Sequence, residues 1–427
     1  MSDLPPGWEE VRIGDLGEDV RVSVKPDPEA TYELYSVPTY PSGKPELLRG
    51  SEIGSSKRAV QPGDVLLCKI NPRINRVWIV AEPAGVGPQI ASPEYLILRT
   101  TDLRLARYLR WYFQSPGFRR WIELSVEGAT GSHTRAKSGP ILEQLVPVPP
   151  VEEQERIVTA VEEDLSRLDA AEAALDSASG KAAVLRRAAL LNGFQLDAPV
   201  AALADVAQVV SGQTPKGLGT AEKGSVPFFK VGDMNTADAG VLRRSRTMLS
   251  EESIVLLGLH LRPPGTVVFP KRGGAIATNK KRVLGCRAAF DLNTMGVIAG
   301  EDLDGRYLRW WFETLDLSSL SDGSNVPQIN HGDIAPLGIP VPPLDGQQRV
   351  VAALDAVETH LVHLIRQIEL ARSRAGVLRR TVLAAAFTGQ LIPQHLDDEP
   401  ASLLLERIWA ERKAATRTKR TRKAKAS

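Results

Sequence analysis

The tetrapeptide PVPP occurs twice in this chain, starting at Pro147 and at Pro340. Sliding the sequence over itself by that interval lays 146–194 on 339–387 without a gap, with 17 identities in 49 positions. A duplication of this kind constrains the fold more than any other feature, because whatever the first copy builds the second must build again. The identities gather at the two ends: Pro147, Val148, Pro149, Pro150, Gln154, Arg156 and Val158, then Val184, Leu185, Arg186, Arg187, Leu190 and Phe194. Proline lacks an amide donor and fixes φ, so each cluster reads as an irregular lead-in to a helix that starts just after it.

The helical pattern is heptadic. In the second copy Leu354, Leu361, Ile368, Ala375 and Val382 recur every seventh residue, with Val350, Val357, Leu364, Ala371 and Leu378 as a companion row. In the first copy Val161, Leu168, Leu175, Ala182 and Ala189 form the same row, and Ile157, Ala171, Ala178 and Leu185 its companion, interrupted by Asp164. Both rows together predict an a/d seam with Val161, Leu168, Leu175, Leu185, Leu354, Leu361, Leu364, Ile368 and Leu378 at its centre. A helix of about 40 residues is roughly 60 Å long. Alone in water such a stripe is unstable, and each copy is the other's natural partner. The expected fold is therefore α+β: two mixed α/β domains separated by an antiparallel two-helix coiled coil. The boundaries run 1–146 for the first domain, 147–195 for its lead-in and helix, 196–339 for the second domain, 340–392 for the second lead-in and helix, and 393–427 for a C-terminal helix and basic tail.

The two domains are related near their ends, where Tyr108-Leu-Arg-Trp-Tyr-Phe113 matches Tyr307-Leu-Arg-Trp-Trp-Phe312, and diverge elsewhere. Strands are predicted at Val65–Ile70 and Val226–Val231. The loops carry residue types that contact nucleic acid: Arg and Lys suit guanine edges and phosphates, Asn and Gln suit adenine. In the first domain these are Lys69, Asn71, Arg73, Asn75 and Arg76, then Ser132, His133, Thr134, Arg135 and Lys137. In the second they are Gln213, Thr214 and Lys216, Lys271 and Arg272, Asn279 and Lys280 with Lys281 and Arg282 beside them, and Asn325, Gln328, Asn330 and His331. Taken singly, any of these is ordinary loop polarity; together they point to DNA. His360 and His363 fall off the seam and read as solvent-facing.

Charge sharpens this. Residues 411–427 hold eight Lys and Arg against Glu411, a local +7, so a total of +2 leaves −5 on residues 1–410. A body with that sign must hold a polyanion through local patches. The tail reads as an unstructured basic arm, either a solubilising end or a phosphate contact. At 427 residues, 43% hydrophobic and 24% charged, the chain has the composition of a soluble multidomain protein without a spanning segment or a secretory start, which predicts a cytoplasmic address. Cys68 and Cys286 have no metal-type spacing, and no metal site is expected.

Catalytic signatures are absent: no GxxxxGK(S/T), no methyl-donor glycine turn, no (D/N)PP(Y/F), HExxH or GxSxG. The chain reads as one that holds something without doing chemistry on it. A scaffold that joins partners without reading DNA is the competing class, and an autonomous methyltransferase a third that the missing motifs disfavour.

The pattern PxPPxxxQ, a long heptad helix and then LRRxxLxxxF, used twice around two unlike domains, resembles the specificity (S) subunit of type I restriction-modification systems. The likeness extends to Gly389-Gln-Leu-Ile-Pro393 and to Asp398-Glu-Pro-Ala-Ser-Leu-Leu-Leu-Glu-Arg407. It departs mildly at Leu191-Asn-Gly-Phe194 and at Asp345-Gly-Gln347. The resemblance implies two target-recognition domains that read the halves of a split, asymmetric site in double-stranded DNA, and helices that set the spacing between those halves. It also implies two methyltransferase (M) subunits carrying S-adenosylmethionine and restriction (R) subunits using ATP and Mg, with no catalysis and no cofactor on this chain.

Overall fold

The computed structural model describes residues 4–126, 134–216 and 224–425, with backbone alone for 415–425. It divides into two compact units, Met1–Ala174 with Ala371–Ser427, and Leu175–Leu370.

In the first unit the Pro-rich lead-in is a strand, not the expected irregular loop. Leu145–Val148 pairs antiparallel with Glu9–Arg12, and Pro147 stands opposite Glu10. A two-stranded ribbon tolerates proline because an edge position has no ladder partner for the missing N–H. At the helix entrance the repeated glutamine holds the lead-in: Gln154, fully buried, donates Nε2 to the Pro149 carbonyl at 2.9 Å. The helix Leu103–Tyr112, capped by Asp102, lies on this junction. Tyr108 donates its hydroxyl to the Pro147 carbonyl at 2.7 Å, and Trp111 donates Nε1 to Glu162 at 3.3 Å.

The second unit repeats each of these contacts. Gly338–Pro340 pairs with Val200–Ala202. Gln347 donates to the Pro342 carbonyl at 2.9 Å, Tyr307 to the Pro340 carbonyl at 2.8 Å, and Trp310 to Asp355 at 3.0 Å. The shared Tyr-Leu-Arg-Trp segment and the shared Pro–Gln lead-in are therefore the two sides of one joint, built twice.

Beyond the joint both domains use one sheet plan. In the first unit the strand order is Gly17–Asp19, Tyr95–Thr100, Val65–Cys68, Val77–Ile79. In the second it is Ala207–Ser211, Thr294–Ala299, Val267–Pro270, Arg282–Leu284, with Val241–Leu242 added at the end. Each unit also carries another sheet, five-stranded in the first and three-stranded in the second. The two strands predicted from sequence are present, at Val65–Cys68 and Val226–Phe229.

Val151–Gly193 and Leu344–Ala386 are continuous helices of 43 residues each. In the first unit the start of the first helix (Ile157, Val158, Val161, Leu165) shares a core with the end of the second (Leu383, Ala386). In the second unit Leu190, from the end of the first helix, shares a core with Val351 and Leu354, from the start of the second. The pairing is antiparallel in both.

One predicted row makes the seam: Val161, Ala182, Leu354, Leu361, Ile368 and Ala375 are buried, and Leu168 and Leu175 half-buried. In the companion row Ile157 is buried and Ala178, Val350, Val357 and Ala371 are half-buried, but its three leucines are a correction. Leu185 is 55% exposed, Leu364 41% and Leu378 52%. The side of the helix turned inward beside the seam carries ions instead. Arg186 Nε meets Glu358 at 2.9 Å, and Arg379 pairs with Asp169. An apolar row is thus flanked by matched opposite charges, with Leu185, Leu364 and Leu378 left outside.

The C-terminal segment is fastened to the first unit. Leu404, Leu405 and Ile408 join its core, Ala401 donates its amide to Gly7 O at 2.9 Å, and Arg156 pairs with Asp398. The helix Ala401–Lys425 carries the basic tail to Lys425, which corrects the unstructured arm expected from sequence. No Gly or Pro interrupts it, and Ala, Lys and Arg all favour helix.

Candidate nucleic-acid interface

In the first unit the strand Val65–Cys68 leaves its sheet at Lys69, and two of the predicted clusters meet there. Lys69 donates its amide to the Glu94 carbonyl at 2.9 Å and accepts from Ala136 N at 2.9 Å, while Asn71 N donates to Thr134 O at 2.9 Å. Ile70 and Arg135 form an antiparallel bridge between these contacts. The result is a lip bearing Lys69, Asn71, Arg73, Asn75 and Arg76 on one side and Thr134, Arg135 and Lys137 on the other; Ser132 and His133 lie outside the described residues. Asn71 and Asn75 bracket a tight turn in left-handed conformation, φ 52° and 44°, a region Asn tolerates better than most side chains. Asn71 Oδ1 accepts from Arg73 Nε at 3.0 Å, and Arg135 pairs with Glu94. Arg76 is turned towards the Cys68 thiol, whose pKa burial raises.

Burial also holds the Lys69 ammonium below the ordinary lysine range, with Glu94 and Asp19 opposing the shift and Arg135 and Arg58 adding to it. Arg58 was not legible as a site residue. It sits on Lys57–Ala59, in a different sheet, and donates to the Arg21 carbonyl. Single cations at such separations in sequence give no signal until the strands converge.

The second unit builds the same lip. Val267–Pro270 leaves its sheet at Lys271, whose amide donates to Asn293 O at 2.8 Å and whose carbonyl accepts from Ile329 N at 2.9 Å. Gly273 N donates to Pro327 O at 2.8 Å, and Arg272 bridges Gln328. Lys271 Nζ donates to Ser211 Oγ at 3.0 Å, and that hydroxyl lies 3.4 Å from His331 Nε2. Arg272, Asn325, Asn330 and His331 are exposed and Gln328 half-buried; Asn330 caps the short helix His331–Ile334. Gln213 and Thr214 brace this rim from below, Gln213 Oε1 accepting from His260 N at 2.9 Å and Thr214 Oγ1 from Leu292 N at 3.1 Å. Lys216 is exposed at the edge of the described segment.

The cluster 279–282 is built into the protein. Asn279 adopts φ 51° and accepts at Oδ1 from Leu317 N at 2.9 Å and Lys281 Nζ at 2.8 Å. Lys281, only 4% exposed, also donates to Leu315 O at 2.7 Å, and burial lowers its pKa. Arg282 Nε donates to Met234 O at 2.9 Å, and Lys280 donates to Asn235. Lys281 and Arg282 are thus structural cations, a distinction the bare run of basic residues conceals. A further cationic run missed from sequence, Arg243, Arg244 and Arg246, is exposed beside Val241–Leu242.

Among the described residues no group of His, Cys, Asp and Glu could hold a metal ion, and no helix is long and apolar enough to cross a membrane.

The two units thus repeat one backbone frame with different loop residues, and comparison with known proteins shows what the chain is similar to. Residues 197–371 match the family model described as the type I restriction modification DNA specificity domain. Among curated relatives, the specificity subunit of the type I restriction enzyme EcoDI of Escherichia coli is 31% identical over 133 residues, covering 28% of this chain and 30% of that protein. The specificity subunit of StySPI of Salmonella potsdam is 31% identical over 114 residues, covering 25% of each. Those matches span less than a third of the relatives' length. Among solved structures, one describing complex assembly and conformational transition of the type I R-M system superposes with TM-score 0.78 at 22% identity, covering 92% of this chain and all of that one. The HsdS subunit of Thermoanaerobacter tengcongensis superposes with TM-score 0.60 at 21% identity, covering 91% and 98%. At such identities these two show the shared fold.

Proposed function

We propose that this chain is the non-catalytic DNA-recognition subunit of a type I restriction-modification complex. Residues 1–146 and 196–339 each read one half of an asymmetric site in double-stranded DNA, and the helical pair sets the number of unread base pairs between them. The observation that carries this is the lip built twice on one backbone frame, at Lys69 and at Lys271, with different residues around each. A common frame presents loops in the same way, and different side chains select different bases.

Two methyltransferase subunits dock through the duplicated helices, and restriction subunits join through them. The repeated Val-Leu-Arg-Arg segment supports this docking, because Val184 and Leu185 in one copy, and Val377 and Leu378 in the other, are exposed. Two identical partners need two equivalent surfaces, which a duplicated helix supplies within one asymmetric chain. S-adenosylmethionine, ATP and Mg belong on those partner subunits, and the complex is cytoplasmic.

The test is selection from a random duplex library by the full chain purified with its modification subunit. The expected product is a bipartite motif with a fixed gap, and replacing 196–339 by the corresponding domain of another such subunit changes one half of it. A single contiguous motif, or no enrichment at all, refutes the reading.

A further inference from the structure

The two lips agree in backbone to a degree their sequences do not suggest. The first residue after the strand is Lys in both; its amide donates to the loop before the neighbouring strand (Glu94 O, Asn293 O) and its carbonyl accepts from the facing segment (Ala136 N, Ile329 N). The next residue forms an antiparallel bridge (Ile70 with Arg135, Arg272 with Gln328), and the one after donates to the facing segment again (Thr134 O, Pro327 O). A short turn follows and ends on an Asn in left-handed conformation, Asn75 or Asn279. On this register the residues flanking the lysines differ: Ile70 stands where Arg272 does, Arg135 where Gln328 does, Lys137 where Asn330 does.

We infer that Lys69 and Lys271 are equivalent phosphate contacts, one in each half-site, and that the unlike residues around them read the bases. The inference rests on the reading of two recognition domains given above. Two half-sites of different sequence share their sugar–phosphate backbone, so a residue placed identically in both domains meets what is common to both. Lysine, a compact point charge without the planar fork that reads guanine, suits a phosphate. Both ammonium groups are positioned in advance by half-buried stems. Among the described residues Lys271 Nζ gives one hydrogen bond, to Ser211, of the three an ammonium can donate. Lys69 lies within electrostatic reach of Arg58 and Arg135 as well as of the carboxylates Glu94 and Asp19, so the three cations outnumber the two anions around it by one.

The test uses the full chain with its modification subunit and the duplex selected by the wild type. Lys69→Gln and Lys271→Gln should each lower the slope of log K against log salt by about 0.9, and the double variant by about 1.8. Both halves of the selected motif should remain unchanged, and Lys→Arg at either position should restore the slope. Relaxed preference confined to one half-site overturns the inference, because the lysine then reads a base. So does an unchanged slope, including one accompanied by a lowered melting temperature, because the lysine is then structural. A wild-type complex that enriches no bipartite motif sinks the functional reading itself and this inference with it; variants that behave as wild type sink the inference alone.

Discussion

The spacing role proposed for the helices is open to a direct perturbation: removal of one heptad from each. Leu175–Lys181 and Ile365–Ala371 are the segments to delete, because the ion pairs Arg186–Glu358 and Arg379–Asp169 flank them and survive. The heptad phase is kept, since Ala182 takes the place of Leu175 and Arg372 that of Ile365. Seven residues span about 10.5 Å of helix, and a base pair rises about 3.4 Å, so the preferred gap between half-sites should shorten by about three base pairs. Over that distance the duplex turns by roughly a third of a turn, so the new site should be bound more weakly than the original. Loss of the buried Ile368 and half-buried Leu175 costs about 1.5–3 kcal/mol for each fully buried side chain, an upper bound for Leu175. Removing Gly180 from a helix interior returns about 1 kcal/mol. A folded variant is therefore expected. The assay is sequencing of methylated sites in cells that carry the variant with its modification subunit. Methylation at the original spacing by a folded double deletion refutes the ruler.

Other consequences follow from the joint and the exposed row. Gln347, itself fully buried, makes three part-buried hydrogen bonds, accepting from Asp304 N at 2.8 Å and donating to Asp302 O at 2.8 Å and Pro342 O at 2.9 Å. Gln347→Ala should cost at least about 2–3 kcal/mol in a urea melt, since orphaned buried groups lose about 1–3 kcal/mol each; a loss below 1 kcal/mol would contradict the role given to the repeated glutamine. Burial holds the Glu153 carboxyl above the ordinary range, against Trp8 and Gln394, which donate to it. A raised folded-state pKa gives stability that is present at low pH and lost as pH rises through that pKa. The melting temperature of the wild type relative to Glu153→Gln should accordingly increase as pH is lowered from neutral into the raised carboxylate range, and a pH-independent difference would contradict it. Leu185→Asp and Leu378→Asp should leave the melting temperature within about a degree or two, because surface changes stay within about 0.5 kcal/mol. Each should remove one of two modification subunits, read as complex mass by light scattering; unchanged stoichiometry in the double variant rules out that docking surface.

From the amino-acid sequence alone one could read the duplication, the two long helices, the buried row through Val161, Leu354, Leu361 and Ile368, and the resemblance to specificity subunits. These are one-dimensional regularities, and periodicity and identity at fixed offset survive without coordinates. Which second row completes the seam was decided only in three dimensions. Rows three and four residues away from the first are both neighbours of it on a helix, and in the structure Arg186 and Arg379 take the place beside the seam, paired with Glu358 and Asp169, while Leu185 and Leu378 lie outside. The equivalence of Lys69 with Lys271 was hidden for a different reason. The frame around them is made of main-chain hydrogen bonds, which any non-proline residue can donate and every residue can accept, so it persists where side chains have diverged. The same runs of basic residues also contain Lys281, turned inward to Leu315 and Asn279, because a lysine's position in sequence says nothing about which carbonyls its chain will reach once the strands have assembled.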